Sequence, residues 1–157
     1  MDETARILVV DDDENIRKVV VTILEEEGYI VEAADTASKA IEKTRKKYYN
    51  VALIDVRLPD MEGIELLTKM KSTTPRMRKI IITGYPTLQN AIEAVNKGAD
   101  AYIMKPFDVE KVLKTIKDQL REQDEENRYS QQKVAEFIET RVKELDFASE
   151  TIHMKKH

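Results

Sequence analysis

The chain is expected to fold as an α/β protein: a doubly wound, five-stranded parallel sheet in the order 2-1-3-4-5, followed by a C-terminal helical extension. Three observations predict this. Between residue 6 and about residue 117, short β-branched runs alternate with segments of helical periodicity. Three of those runs are almost continuously apolar, as strands covered on both faces must be. No two-residue turn signal joins any pair of strands, so a hairpin-built α+β fold has no support. Five βα units of this kind imply helices on both sides of the sheet and right-handed crossovers.

The expected strands are Arg6–Val10, Ile30–Ala34, Val51–Asp55, Ile80–Thr83 and Ala101–Met104. Between them, apolar residues recur at helical spacing. Ile16, Val19, Val20, Ile23 and Leu24 make a first face, and Ala37, Ala40, Ile41 and Thr44 a second. Ile64, Leu67 and Met70 make a third; Leu88, Ala91, Ile92 and Val95 a fourth; Val109, Val112, Leu113, Ile116 and Leu120 a fifth. Gly28 and Gly98 stand where helices should stop in a left-handed cap. Asp108, after Pro106, is placed to cap the fifth helix.

Composition sets the outer limits. At 157 residues the chain has room for one α/β domain (1–120) and an appendage (121–157). Hydrophobic residues at 41% and charged residues at 36% fit a globular protein rather than a disordered one. A net charge of −4 gives no general attraction to nucleic acid or anionic membrane. With no cysteine, disulfides, thiolate metal sites and cysteine nucleophiles are excluded. No apolar run approaches the roughly 20 residues that span a bilayer. The acidic start Met1-Asp2-Glu3-Thr4 does not read as a signal peptide, so a cytoplasmic location is expected. Lys/Glu richness without Cys or Trp is a weak thermophilic hint.

The tail changes character near Asp118. Leu120 and Tyr129 are the large apolar residues of 118–130; then Val134, Phe137, Ile138, Val142 and Leu145 return at helical spacing, with Phe147, Ile152 and Met154 beyond. Ten acids against seven Lys/Arg over 118–157 give a sign opposite to that of a nucleic-acid-binding arm. The expectation is a helix whose stripe packs on the domain or on a partner helix, with a solvated, frayed helix as the alternative. Leu113, Ile116, Leu120, Gln123, Asn127, Ser130, Val134 and Phe137 keep roughly heptad steps, but the polar centre of that series argues against a strong coiled coil.

The polar residues that end the strands carry the chemistry. Asp11-Asp12-Asp13 follow Val10, Asp55 ends the third run, Thr83 the fourth, and Lys105-Pro106 follow the fifth. In an open α/β sheet, ligands bind beyond the strands' carboxyl ends, where the strand order reverses. There the first and third strands would bring their aspartates together. Two unit charges about 4 Å apart repel by roughly 4 kcal/mol at an effective dielectric near 20. Such a cluster therefore holds a cation or keeps a proton at a raised pKa. Magnesium suits the first solution, because it takes one or two carboxylates, retains waters and accepts phosphate oxygens. Taken singly, Asp12 and Asp13 read equally well as helix caps, Thr83 as an ordinary strand residue and Lys105 as a surface lysine. Lys105-Pro106 is a candidate cis peptide that would aim the ammonium from a tight turn.

Together, Asp11-Asp12, Asp55 within DVRLPDMEG, Thr83-Gly84 and Lys105-Pro106-Phe107 resemble the receiver domain of two-component response regulators, chemotaxis-receiver-like and flavodoxin-like in fold, over about residues 5–120. The resemblance implies that Asp55 is the phosphoacceptor, attacking a phosphohistidine of a sensor histidine kinase or phosphotransfer protein. It implies that Asp11, Asp12, Asp55 and the backbone carbonyl of Arg57 hold Mg²⁺, and that Lys105 and Thr83 contact the phosphoryl oxygens. Tyr102 matches the family's switch aromatic, which turns inward when Thr83 moves. Such a chain is a switch that gains and loses its own phosphoryl group, not a turnover enzyme. The face made by the fourth helix, fifth strand and fifth helix is the usual exchange surface, offering a homodimer through it or through the C-terminal helix. Arg57 and Tyr85, two residues beyond Asp55 and Thr83, are placed to shield an acyl phosphate from water.

Three other readings compete. A haloacid-dehalogenase-like phosphatase needs a second aspartate two residues after its nucleophile, where this chain has Arg57. A flavin binder of the same fold would place its phosphate where Asp11-Asp12-Asp13-Glu14 repel it. A phosphorylation-independent adaptor is the remaining alternative. No recognisable output domain follows residue 120, so the cognate kinase, stimulus and output are not read from the residues.

Overall fold

The computed structural model describes residues 4–155, and the side chains of residues 4–148. The acidic start Met1–Glu3 and the side chains of Ile152 and Met154 lie outside these limits. The elements are β1 (Arg6–Val10), α1 (Glu14–Glu26), β2 (Ile30–Ala34), α2 (Ala37–Lys46), β3 (Val51–Asp55), α3 (Gly63–Leu66), β4 (Arg78–Thr83), α4 (Leu88–Asn96), β5 (Ala101–Met104) and α5 (Val109–Lys155). The strands pair in parallel in the order β2-β1-β3-β4-β5, as the sequence predicts.

Alternation along each strand divides the core between the two sheet faces. Leu8, Val10, Ala52, Ile54 and Ile81 face one way, against Ala37 and Ala40 of α2, Ile64 and Leu66 of α3 and Ala94 of α4. Ile7, Val9, Val51, Leu53, Ile80, Ile82 and Ile103 face the other way, against Val20 and Leu24 of α1 and Val112 and Ile116 of α5. Caps fix where the helices begin. Asp13 accepts from the Asn15 and Ile16 amides, Thr36 from Lys39, Thr87 from Asn90 and Asp108 from Lys111. Gly28 (φ 94°) and Gly98 (φ 103°) make the left-handed turns that end α1 and α4.

Three expectations need correction. The third helix is Gly63–Leu66 alone, so Leu67 and Met70 of its expected face lie beyond it, buried all the same. The fourth strand begins at Arg78 rather than Ile80. Its charged start stays in the sheet because the Arg78 amide donates to the Asn50 carbonyl at 2.9 Å and the Lys79 amide to Asp100 at 2.9 Å. The fourth helical face is also reversed. Leu88, Ile92 and Val95 are 80%, 52% and 65% exposed, while Ala94 is fully buried. The small Ala94 side chain brings the α4 backbone close to the sheet, and the long aliphatics are left on the outside.

The loop after β3 is tightly built. Asp60 accepts from the first amides of α2, Ala37 and Ser38, at 2.9 Å each, and this fastens the loop across to the neighbouring helix. Those two amides hold the Asp60 carboxyl below its ordinary pKa. Gly63 follows. A Cβ there would collide with the backbone carbonyl of Asp55, while its amide donates to the Val56 carbonyl at 2.6 Å.

The compact unit containing the sheet ends at Gln123, and a second unit begins at Asp124. Within the first, Gln123 lies at the amino edge of the sheet. It donates to the carbonyls of Asn50 (3.0 Å) and Arg76 (2.8 Å) and accepts from the Asn50 side chain (3.0 Å). Asn50 also accepts from the Arg6 amide at 2.9 Å, so one amide pair ties β1, β3 and α5 together. In the second unit Val134, Phe137, Ile138, Val142, Leu145 and Phe147 are all at least half exposed. No helix among the described residues is long and apolar enough to cross a membrane.

The crowding at Gly63 makes a direct prediction. Gly63→Ala should destabilise by roughly 1–3 kcal/mol, as overpacking against backbone does, and lower the melting temperature by about 5–10 °C. Calorimetry showing an unchanged transition would contradict the close approach.

Candidate functional site

The register of β1 and β3 places the first two acids. Pairing runs from Ile7↔Val51 to Val10↔Ile54, so Asp11 and Asp55 leave neighbouring strands at one level, on the side of Val9 and Leu53. The Asp11 amide donates to the Ala34 carbonyl at 3.1 Å, holding the chain extended for one more residue before α1. Asp11 is 6% exposed, and Arg17 donates to its carbonyl oxygen at 2.9 Å. Asp12 follows it, exposed to solvent. Carboxylate oxygens of Asp11, Asp12 and Asp55 all lie within 4.8 Å of one another.

The third acid of the run stays out of this cluster. Asp13 turns to the helix and caps it, so helix capping is its role. Lys105, delivered by the end of β5, enters instead. Its Nζ lies 3.2 Å from Asp55 Oδ2 and 3.8 Å from Asp11 Oδ2. The Lys105 amide donates to the Thr83 carbonyl at 2.7 Å, and the Lys105–Pro106 peptide is cis. Asp55 Oδ1 accepts from the Arg57 amide at 3.3 Å.

One lysine does not neutralise three carboxylates. Burial pushes the Asp11 carboxyl from 3.8 up to about 6, and repulsion from Asp55 adds to this against the opposing Asp13 amide and Lys105. The cluster thus carries uncompensated negative charge at neutral pH. Its convergent oxygens suit a small, hard divalent cation.

Thr83 and Tyr102 share the opposite sheet face, since Ile81 pairs with Tyr102 and Thr83 with Met104. Thr83 is 2% exposed, and its Oγ1 accepts from the Tyr85 amide at 3.0 Å, which leaves the hydroxyl hydrogen to donate elsewhere. Tyr102 is half-buried against the core, and its buried hydroxyl has no hydrogen-bond partner among the described residues. At the mouth, the Arg57 guanidinium lies 4.1 Å from the centroid of the Tyr85 ring, joining the loops after β3 and β4. A shallow pocket lined by Ile16, Gly84, Tyr85, Lys105, Pro106 and Phe107 opens beside the cluster.

Asp11, Asp12, Asp55 and Lys105, which the sequence predicts as one site, are therefore together. Thr83 and Tyr102 stand on β4 and β5, on the other sheet face. Asp60 and Arg17, which orient the surrounding loops, were not singled out from the sequence. Asp60 sits in the Pro59–Gly63 loop signal, but its helix partner lies 23 residues away and has no local trace.

Residues 7–117 match the response regulator receiver domain family. Among curated relatives, the transcriptional regulatory protein ZraR of Klebsiella oxytoca is 36% identical over 118 residues, covering 75% of this chain and 27% of the relative. The regulatory protein AtoC of Escherichia coli K12 is 35% identical over 107 residues, covering 68% and 23% respectively. The chain thus spans only about a quarter of the length of these two proteins. Among solved structures, a CheY-like receiver domain protein from Methanospirillum hungatei JF-1 is 48% identical with a TM-score of 0.75, covering 79% of this chain and 99% of that one. The beryllofluoride-activated NtrC4 receiver domain, solved as a dimer, is 39% identical with a TM-score of 0.71 over 75% of this chain and 98% of that one. The match across the whole sheet, together with the acid–lysine cluster at its carboxyl edge, shows that this chain belongs to the receiver domains of two-component response regulators.

Proposed function

We propose that the domain accepts a phosphoryl group onto Asp55 from the phosphohistidine of a sensor histidine kinase or phosphotransfer protein, with Mg²⁺ as cofactor. The observation that carries this reading is the convergence of Asp11, Asp12 and Asp55 within 4.8 Å, with the Lys105 ammonium 3.2 Å from Asp55. An Asp55 oxygen attacks phosphorus, the phosphorus–nitrogen bond breaks, and the imidazole leaves with that electron pair. An acyl phosphate remains on Asp55, and water later hydrolyses it to carboxylate and inorganic phosphate. The chain is then a switch that returns to its starting state, rather than a turnover enzyme.

Each group has a part consistent with its place. Asp11, Asp12, Asp55 and the backbone carbonyl of Arg57 would hold Mg²⁺, which when bound supplies positive charge against the transferred group. Lys105, already between Asp11 and Asp55, follows the charge onto a phosphoryl oxygen. Thr83 donates its free hydroxyl hydrogen to another. Movement of Thr83 toward the anion opens space on its sheet face, into which Tyr102 packs more deeply. The outward stripe Leu88, Ile92 and Val95, with Met104 also exposed, offers this face to a second receiver or another partner. The Arg57–Tyr85 stack screens the acyl phosphate from water.

Incubation with acetyl phosphate and Mg²⁺ should add one phosphoryl mass to the wild type and none to Asp55→Asn. No gain in the wild type would favour the phosphorylation-independent adaptor, and a gain retained in the variant would move the acceptor elsewhere.

Mg²⁺ at about 100 times its Kd should stabilise the native state by about 2.7 kcal/mol, and Asp12→Asn should shrink that increment. The effect of pH follows from Asp11, whose folded pKa of about 6 lies above the 3.8 of an ordinary aspartate. Without cation, the native state holds this proton longer than the unfolded chain does. Stability from Asp11 is therefore full below pH 3.8 and falls as pH rises to about 6. Cation binding needs the ionised carboxylate, so Mg²⁺ affinity should weaken roughly tenfold per pH unit below about 6. Melting curves with and without Mg²⁺ across that range test this; an increment independent of pH would exclude Asp11 as a ligand.

An exposed cation–π contact is worth about 0.5–1 kcal/mol, or roughly a two- to fivefold change in how often the screen is closed. Arg57→Ala and Tyr85→Ala should each speed loss of the phosphoryl group by about that factor. Unchanged or slower decay in both variants would rule out the screen.

A further inference from the structure

We propose that the helix beyond the receiver unit pairs with a second copy of this chain as a parallel, in-register two-stranded coiled coil, through a seam of Ala135, Ile138, Val142 and Leu145. The longer series that starts at Leu113 is not available for this. Leu113, Ile116 and Leu120 pack in the receiver's own core, and Gln123 is 5% exposed in its hydrogen-bonded place at the sheet edge. A seam open to a partner begins only after Gln123.

Steps of three and four residues connect 135, 138, 142 and 145, and Ser149 and Ile152 continue the spacing in the sequence. Ile138, Val142 and Leu145 are 56%, 50% and 62% exposed, and Val134 beside them is 58% exposed. In heptad terms Ala135 and Val142 take position a, and Ile138 and Leu145 take position d. Val142 at a with Leu145 at d is the pairing that favours two strands. Tyr129, Phe137 and Phe147 fall outside the seam.

The flanking charges choose the partner and its direction. Glu139 and Asp146 occupy the e positions, and Val134 and Arg141 the g positions. In a parallel pair each g residue meets the e residue five positions further on in the other chain, so Arg141 meets Asp146 twice across the two-fold axis. An antiparallel pair instead sets e against e, acid against acid. Within one helix Arg141 bonds Glu144 at 3.0 Å and Lys143 pairs with Glu139 at 3.2 Å, and both contacts are exposed. Exposed pairs of this sort contribute little, so Arg141 gives up little on turning to the second chain. An apolar stripe on an otherwise charged helix of this length gains its stability by being covered. The heptads upstream carry Arg128 and Gln131 at the corresponding positions, which confines the contact to the region beyond them.

The inference does not rest on phosphorylation and is tested on the unphosphorylated full chain. Sedimentation over a concentration series should show a monomer–dimer equilibrium in the wild type. Val142→Asp or Leu145→Lys should weaken it at least tenfold. Arg141→Glu alone and Asp146→Lys alone should each weaken it, the double variant should recover it, and a mixture of the two single variants should form the heterodimer in preference to either homodimer. The chain has no cysteine, so Ala135→Cys reports on itself: oxidation should link two copies through this position. Far-UV circular dichroism checks that each variant keeps the receiver fold. A wild type monomeric at every concentration, a dimer that survives Val142→Asp and Leu145→Lys, or a dimer that Ala135→Cys does not crosslink would overturn the proposal.

Discussion

Mutual repulsion among three carboxylates is the constraint around which this domain is organised. Parallel pairing of β1 with β3 forces Asp11 and Asp55 to leave the sheet side by side, and the turn into α1 adds Asp12. No packing arrangement removes that repulsion; only positive charge does. Lys105 supplies part of it, and one ammonium against three carboxylates leaves the remainder unmet. A site that lacks positive charge in this way attracts cations. The fold contributes by fixing the strand ends that deliver Asp11 and Asp55 side by side.

The loops are built to the same end. Asp60 fastens the loop after Asp55 to the start of α2, Gly63 brings α3 up against the Asp55 carbonyl, and Arg17 holds the Asp11 carbonyl. The acids therefore sit on backbone that is restrained on several sides, so a change in charge is not absorbed by local relaxation. On the other side, Thr83 and Tyr102 stand on a face where a buried phenol has no hydrogen-bond partner among the described residues and α4 presents its aliphatics to solvent.

Much of this was legible in the sequence. Runs of β-branched residues leading into Asp55, Thr83 and Lys105 are a local signal for both strand and site, and the alternation of strand with helix gives parallel pairing with helices on both faces. What the sequence hid is what depends on partners distant along the chain. Arg78 and Lys79 look like loop residues until Asn50 and Asp100 are seen beside them. Asp13 reads equally as one more acid of the cluster or as a helix cap until its amide partners in α1 are known. The stripe of α4 has the right period for a buried face, yet periodicity gives only the existence of a stripe and not the direction it points. The heptad steps that start at Leu113 do not make one seam for a related reason. One helix serves two environments, and its heptad steps do not mark where the first ends.

The attachment of α4 has a consequence of its own. A helix held to the sheet chiefly by one methyl group loses little buried surface when it slides or rotates, whereas α1 would have to uncover Val20 and Leu24, and α5 Val112 and Ile116. Among the long helices, α4 is thus the one with the shallowest energy well. A displacement at the carboxyl edge of β4 would therefore uncover least surface if α4 took it up.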